Sequence, residues 1–234
     1  MPSLQQLRNP VYRIIDPATR ALIRWRIHPN AITTAGFVVT VLAGWLYHLD
    51  HVRLAGLCVL LGGLSDIFDG RVARESGLAS KFGAFYDATL DRASEIVVFI
   101  GLISLYNQYG RETADIWMIY VIAVAIGGSL MVSYTRAKAE ALGLDCTVGF
   151  MQRAERLVLL GGGSLFFGLM WNGIVLKGIL ITLAVTTVLT TIQRIVWVYQ
   201  HAAGVPLDEP PTRNAPDKVV PVPPSTTKED GATL

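Results

Sequence analysis

The sequence predicts an all-α membrane protein: six transmembrane helices preceded by an amphipathic helix lying on the membrane surface. Three observations lead there. Apolar residues make up 52% of the 234 and charged residues only 16%, with a mean hydropathy of +0.44. Most of the apolar residues run in long blocks rather than in alternating or amphipathic patterns, and a helical block of about 18 or more crosses a hydrocarbon core of ~30 Å. Basic residues also cluster in alternate connections between those blocks. The net charge of +2 is too small to point to nucleic acid. Two cysteines, Cys58 in an apolar block and Cys146 in a polar loop, make neither a disulfide framework nor a metal-ligand cluster. No cleavable signal peptide is expected, because the first apolar block begins near Ala31, after a basic, proline-punctuated stretch.

Three divisions follow: an N-terminal segment over 1–29, a six-helix domain over 30–202 and a tail over 203–234. Asp16 is a good N-cap and Pro17 suits a first helical position. Leu22, Ile23, Trp25 and Ile27 then interleave with Arg20, Arg24 and Arg26, as in a basic helix at a membrane interface. Pro29-Asn30 breaks it, with Asn30 placed to cap the first span. The spans are expected at Ala31–His48, Leu54–Ala73, Phe82–Tyr106, Ala114–Ala137, Arg156–Trp171 and Val175–Tyr199. After Gly204 the polar tail carries Pro206, Pro210, Pro211, Pro216, Pro221, Pro223 and Pro224. It cannot bury a core and reads as disordered. Arg8, Arg13, Arg20, Arg24 and Arg26 precede the spans; Arg74 and Lys81 join spans two and three; Arg136, Lys138, Arg153 and Arg156 join spans four and five. Arg53, Arg111 and Lys177 lie on the other side. The positive-inside rule therefore places both termini in the cytoplasm of a multi-pass cell-membrane protein.

The chemistry is concentrated between Ser65 and Asp91. On a helix, Asp66, Asp69, Gly70, Ala73 and Arg74 fall on one face at steps of three and four, and Gly83, Asp87 and Asp91 form a second stripe at steps of four. Two neighbouring helices can thus aim four carboxylates at one point. A single charge at mid-bilayer costs about 2.5–3.5 kcal/mol on insertion scales. Four must keep their protons, be paired or be neutralised by cations. Arg71, Arg74, Lys81 and Arg92 offer structural ion pairs as the plain alternative. All the ligands are oxygen, with no histidine or cysteine cluster, which favours Mg²⁺ or Mn²⁺ over zinc. Such an ion among carboxylates can hold a pyrophosphate and polarise its phosphorus. Gly70, Ala73 and Gly83 leave room for a nucleotide or a facing backbone.

The spacing Asp66-x2-Asp69-Gly70-x2-Ala73-Arg74-x8-Gly83-x3-Asp87-x3-Asp91 fixes eight positions within 26 residues and resembles the signature of the CDP-alcohol phosphotransferase family. The resemblance extends over the six-helix region and excludes the tail. It implies that Asp66, Asp69, Asp87 and Asp91 bind two divalent ions, that Asp91 is also the base for the acceptor hydroxyl, and that CMP leaves. Asn30, Ala31, Ile32 and Thr33, which resemble the family's Pro-Asn-x-x-Thr turn, would lie by the CDP moiety of CDP-diacylglycerol with Gly70, Arg74 and Ser80. A homodimer is implied by the family alone.

The second half of the chain bears on the acceptor alcohol. Ser133 to Glu140 closes span four, Arg153 to Arg156 opens span five, and Arg194 lies inside span six. Helix-end bases also serve as topology anchors, but together these suit a phosphorylated polyol, because arginine makes bidentate phosphate contacts. Asp87-Ala88-Thr89-Leu90-Asp91-Arg92, the Ser133–Glu140 stretch and the Arg153/Arg156 pair resemble the inositol-phosphate branch of the family. The glycerol-phosphate branch usually has proline where Ala88 stands. By that resemblance Ser133, Arg136, Lys138, Arg153, Arg156 and Arg194 contact the acceptor. The chain departs from that branch in having Arg136 before Lys138 rather than Lys before Arg, Ala154 for Pro and Ser80 for Thr. The expected function is phosphatidylinositol-phosphate synthesis. Phosphatidylglycerophosphate synthesis from glycerol 3-phosphate and an archaeal-type ether-lipid donor are enzymatic alternatives. A metal-ion transporter is an alternative of another class, although it would place the acids at mid-span, often in broken helices.

Overall fold

The computed structural model describes residues 16–108 and 114–202, and all regular structure among them is helical. The proline-rich tail, the first fifteen residues and Arg111 lie outside the described residues. A short helix, α1, covers 16–24 and stops where Arg26 adopts a left-handed backbone (φ 54°). Six longer elements follow: α2 (Pro29–His48), α3 (Val52–Glu75), α4 (Lys81–Tyr106), α5 (Ile116–Ala141), α6 (Arg153–Phe167) and α7 (Ile174–Ala202). Among them α2, α5 and the stretch Met170–Ala202 are long and apolar enough to cross a membrane.

The ends differ in part from the sequence expectation. Asn30 does not cap α2: His28 takes that position, its Nδ1 accepting from the Asn30 amide at 3.2 Å, and Pro29 opens the helix. Proline has no amide hydrogen to satisfy at a first helical position, so the helix can begin there rather than after it. Helix α5 runs one turn past Ala137, its N-terminus capped by Asp115, whose Oδ1 accepts from the Trp117 and Met118 amides. Helix α6 starts at Arg153 and ends before Gly168 (φ 54°), short of the expected Trp171. A 3₁₀ turn over Met170–Gly173 then carries Trp171 and Asn172 at positive φ before α7 begins.

The six long helices pack as a closed ring in the order α2, α3, α6, α7, α5, α4 and back to α2. Close crossings depend on glycine. A methyl on Gly101 of α4 would overlap the Gly44 carbonyl of α2, and one on Gly128 of α5 would strike the Thr187 hydroxyl of α7. Small residues of this kind are what let helices approach in lipid, where no hydrophobic force draws them together. One end of the ring is filled by Tyr47, Leu102, Leu105, Ile122, Leu176 and Leu180, all fully buried. The outer faces are also apolar, with Trp45, Val41 and Leu42 on α2, Trp117 and Tyr120 on α5, and Val185, Leu189 and Ile192 on α7 all exposed. Helices apolar both inside and out are the pattern of a bundle solvated by lipid. Asp16 in α1 reaches Arg71 of α3 at 2.5 Å, tying the short helix to the ring's other end.

Candidate active site

The end opposite the apolar core gathers the last turns of α3, the first turns of α4 and α6, and the last turns of α5 and α7. Ser80 caps α4, its Oγ accepting from the Gly83 amide at 3.0 Å. Because α3 and α4 both pack on α2, the three- and four-residue stripes read from the sequence face one another. Carboxylate oxygens of Asp66, Asp69 and Asp87 lie within 4.8 Å of each other. Asp69 is buried and accepts from Thr33 Oγ1 of α2 at 2.6 Å. Asp87 Oδ1 is buried with no hydrogen-bond partner. An orphaned acceptor in an all-oxygen, acid-rich cluster fits a hard divalent cation.

Asp91 stands apart from that trio. Its Oδ1 meets Arg153 Nη2 at 2.7 Å, while Nη1 of the same guanidinium holds Asp66 Oδ2 at 2.6 Å. Arg153 thus bridges α6 to both acid-bearing helices, a contact between residues far apart in sequence that no spacing argument could supply. Arg92 Nη1 approaches Asp91 Oδ2 from the other side at 3.3 Å.

Of the residues expected near the nucleotide, Asn30 Oδ1 and Ser80 Oγ both lie over Gly83, where a Cβ would come within 3.4 and 3.2 Å of them. The Arg74 guanidinium likewise folds over Gly70, 3.4 Å from where its Cβ would be. Thr33 touches the acids, Ile32 is buried and Ala31 is exposed.

Beside the acids opens a cavity of about 580 Å³ lined by Asp66, Ser133, Gln152 and five arginines: Arg92, Arg136, Arg153, Arg156 and Arg194. Five of the six expected acceptor residues line it; Lys138 does not, and is exposed. The five are not equally free. Arg136 pairs with Glu140 at 2.8 Å on the same helix. Arg194 donates to the carbonyls of Val148 (2.9 Å) and Val132, so it also clasps the α5–α6 connection. Arg156 is buried against Glu95 and Ser129. The sequence offers Arg92 as a possible counter-ion and as the end of the Asp87–Arg92 stretch, not as an acceptor contact, yet it lines the cavity. Glu95 continues the Asp87/Asp91 stripe by four residues, and that periodicity was the signal by which it could have been found.

Comparison with known proteins gives the arrangement its context. The family model for CDP-alcohol phosphatidyltransferase matches residues 26–199. An archaetidylinositol phosphate synthase of Methanothermobacter thermautotrophicus is 34% identical over 198 residues, covering 85% of this chain and 95% of the relative. A phosphatidylinositol phosphate synthase of Mycobacterium tuberculosis is 36% identical over 198 residues, covering 82% and 89%. Crystal structures of the Mycobacterium tuberculosis phosphatidylinositol phosphate synthase superpose well. The form with CDP-DAG bound has a TM-score of 0.72 at 31% identity, covering 80% of this chain and 94% of that one. The form in complex with manganese and citrate has a TM-score of 0.70 at 31% identity, covering 78% and 88%. A family match over residues 26–199, this extent of identity and the structural superposition place the chain in the CDP-alcohol phosphatidyltransferase family.

Proposed function

We propose that the chain transfers the phosphatidyl group of CDP-diacylglycerol to inositol 1-phosphate, giving phosphatidylinositol phosphate and CMP. One observation carries this reading: an all-oxygen carboxylate cluster lies directly beside a cavity walled by five arginines. A free polyol or an amino alcohol needs no such wall, whereas a phosphorylated one does. The names of the relatives, phosphatidylinositol phosphate synthase and archaetidylinositol phosphate synthase, support the same headgroup. The archaeal relative also makes an ether-lipid donor a variant of the same reading.

In this mechanism Asp91 takes the proton of the acceptor hydroxyl, and the oxygen so freed attacks the lipid-bearing phosphorus of the pyrophosphate. The bond from that phosphorus to the oxygen bridging towards cytidine breaks, and CMP departs with that oxygen. Asp66, Asp69, Asp87 and Asp91 would hold two divalent ions, Mg²⁺ or Mn²⁺, which when bound polarise the phosphoryl group and offset charge on CMP. Asn30, Ala31, Ile32, Thr33, Gly70, Arg74 and Ser80 receive the CDP moiety. Arg153, reaching Asp91 and the cavity alike, orients the acceptor phosphate so that a hydroxyl meets the base, with Arg92, Arg136, Arg194 and Ser133 around it.

All six long helices span the cell membrane in this reading, with α1 on its surface and the site and both termini on the cytoplasmic side. The protein works as a homodimer among membrane lipids. CMP release by the purified protein, with CDP-diacylglycerol and Mg²⁺, tests the assignment. Inositol 1-phosphate should support turnover while free inositol and glycerol 3-phosphate do not. Turnover with glycerol 3-phosphate and none with inositol 1-phosphate would reverse the acceptor assignment.

A further inference from the structure

Two kinds of polar side chain line the cavity beside the acids. Five are arginines, Arg156 of α6 among them, and these suit the phosphate of the acceptor. A guanidinium, however, only donates hydrogen bonds. The rest of a phosphorylated polyol is a set of hydroxyls, each of which also has a hydrogen to give. Among the described residues of the lining, the side-chain oxygens able to take those hydrogens belong to Asp66, Ser133, Thr147 and Gln152. Asp66 is committed to the acidic cluster and to Arg153. The nearby carbonyls of Val132 and Val148 are engaged by Arg194. Three neutral side chains are left, and two of them, Thr147 and Gln152, stand in the connection between α5 and α6, over 142–152. At about 580 Å³ the cavity is of the size that holds a whole small molecule, not a phosphate alone.

The connection that carries Thr147 and Gln152 is anchored on α7. Cys146 is fully buried. The Val148 carbonyl accepts from Arg194 Nε at 2.9 Å. The Phe150 amide donates to Thr190 Oγ1 at 3.4 Å, and a Cβ on Gly149 would come within 2.8 Å of Thr190 Cγ2. Met151 packs against the apolar core. Thr147 is exposed between the buried Cys146 and the tied carbonyl of Val148. Gln152 is the N-cap of α6, and its amide donates to Glu155 Oε2 at 2.8 Å. Both side chains therefore rise from backbone that is fixed at adjacent residues. Such groups meet a ligand without first paying to order a loop.

We propose that Thr147 and Gln152 are specificity-determining residues of the acceptor site: they take hydrogen bonds from the polyol's hydroxyls while the arginines hold its phosphate. This rests on the transferase reading above and deepens it. The arginines answer the acceptor's charge, and the α5–α6 connection answers which alcohol carries that charge.

The test uses the full chain in lipid nanodiscs with Mg²⁺ and CDP-diacylglycerol, comparing Thr147→Val, Thr147→Ser and Gln152→Asn with the wild type. Acceptor KM is measured with inositol 1-phosphate and with its monodeoxy analogues, alongside donor KM and melting temperature. Thr147→Val keeps the shape and loses the hydroxyl. Gln152→Asn keeps a good helix cap but draws the amide back by one methylene. Each should raise the KM for inositol 1-phosphate roughly 3- to 10-fold, the scale of one hydrogen bond, with donor KM and melting temperature little changed. Thr147→Ser, which keeps the hydroxyl, should restore the wild-type KM. The wild type should lose a similar factor on at least one monodeoxy analogue. In Thr147→Val that analogue should bind no worse than inositol 1-phosphate, because the contact it lacks has already gone. Equal acceptor KM in the wild type and both variants would overturn the proposal. So would a rise of the same size for every analogue, which marks a displaced connection rather than a lost hydroxyl contact. Should Thr147→Val fail to fold, Thr147→Ala makes the same comparison. If the wild type releases CMP with a different phosphorylated polyol, the deoxy series is built on that one. Release with none of them overturns the transferase reading itself, an outcome distinct from wild-type turnover with indifferent variants.

Discussion

The two ends of the helix ring use the same six elements in opposite ways. Where α2 turns into α3 and α6 into α7, the interior is Leu102, Leu105, Ile122, Leu176 and Leu180. Among the described residues, its polar groups there include Tyr47, paired with Ser164 at 2.6 Å across the ring, and the buried Tyr106 hydroxyl, while the part-buried Asp115 and Lys177 pair at 2.7 Å. At the other end the interior is Asp66, Asp69, Asp87, Asp91, Glu95, Arg153, Arg156 and Arg194, with a cavity of about 580 Å³ beside it. The apolar end can close because its leucine and isoleucine side chains need no partners. The charged end stays open because each of its groups demands one, and a site that must accept a nucleotide and an anion cannot let all those demands be met internally. The first end holds the helices together; the second is held open by them.

Three substitutions probe that division, the largest expected effect first. Asp91→Asn removes the proposed base at the charged end while preserving shape. Turnover should fall by roughly 10²- to 10⁴-fold, while CDP-diacylglycerol binding, followed by calorimetry, stays close to wild type. Near-normal turnover would remove Asp91 from its role as base. Gly101→Val acts at the α2–α4 crossing, where its side chain meets the Gly44 carbonyl. The expected loss is about 3 kcal/mol or less, read as a lower melting temperature in detergent, with the acceptor KM of the surviving folded protein unchanged. A KM shift without a stability loss would mean the two ends are not separable.

The smallest effect belongs to Asp115, which caps α5 and takes a hydrogen bond from Lys177 Nζ at 2.7 Å. That contact chiefly, aided by the lysine's charge and the α5 amides, holds its carboxyl below the usual range. A carboxyl whose pKa is lower folded than unfolded adds stability above the unfolded value and loses it as pH falls through the folded one. Asp115→Asn should therefore lower stability at neutral pH by under about 1 kcal/mol and make no difference once the wild-type carboxyl is protonated. Melting curves at pH 7 and pH 2.5 distinguish this from a pH-independent capping effect.

Much of the charged end was legible in the linear sequence. Asp66 and Asp69, and Asp87 and Asp91, lie at helical steps, and helical periodicity alone puts such residues on one face. Ser80 followed by a helical stripe marks the start of α4 in the same local way. The partners across the ring were not legible. Arg153 lies 87 residues from Asp66, and Arg156 lies 61 from Glu95. Oxygens of Asp66, Asp69 and Asp87 gather within 4.8 Å of one another, and Asp91 joins Asp66 through the guanidinium of Arg153, a link that helical spacing does not announce. Arg194, a charge inside the sixth span, finds its partners in the backbone carbonyls of Val132 and Val148, which no side-chain pattern announces.

The sequence by itself determined the helices, their apolar character and the acidic stripes, because these depend on residues within a turn or two of one another and on transfer from water. Only the tertiary structure decided the ring order, the pairing of each arginine and the guanidinium that joins Asp91 to Asp66. Those depend on which helices lie opposite across the interior, and that is set by close crossings such as Gly44 on Gly101 and Gly128 on Thr187, contacts between parts of the chain whose spacing in sequence carries no trace of their nearness in space.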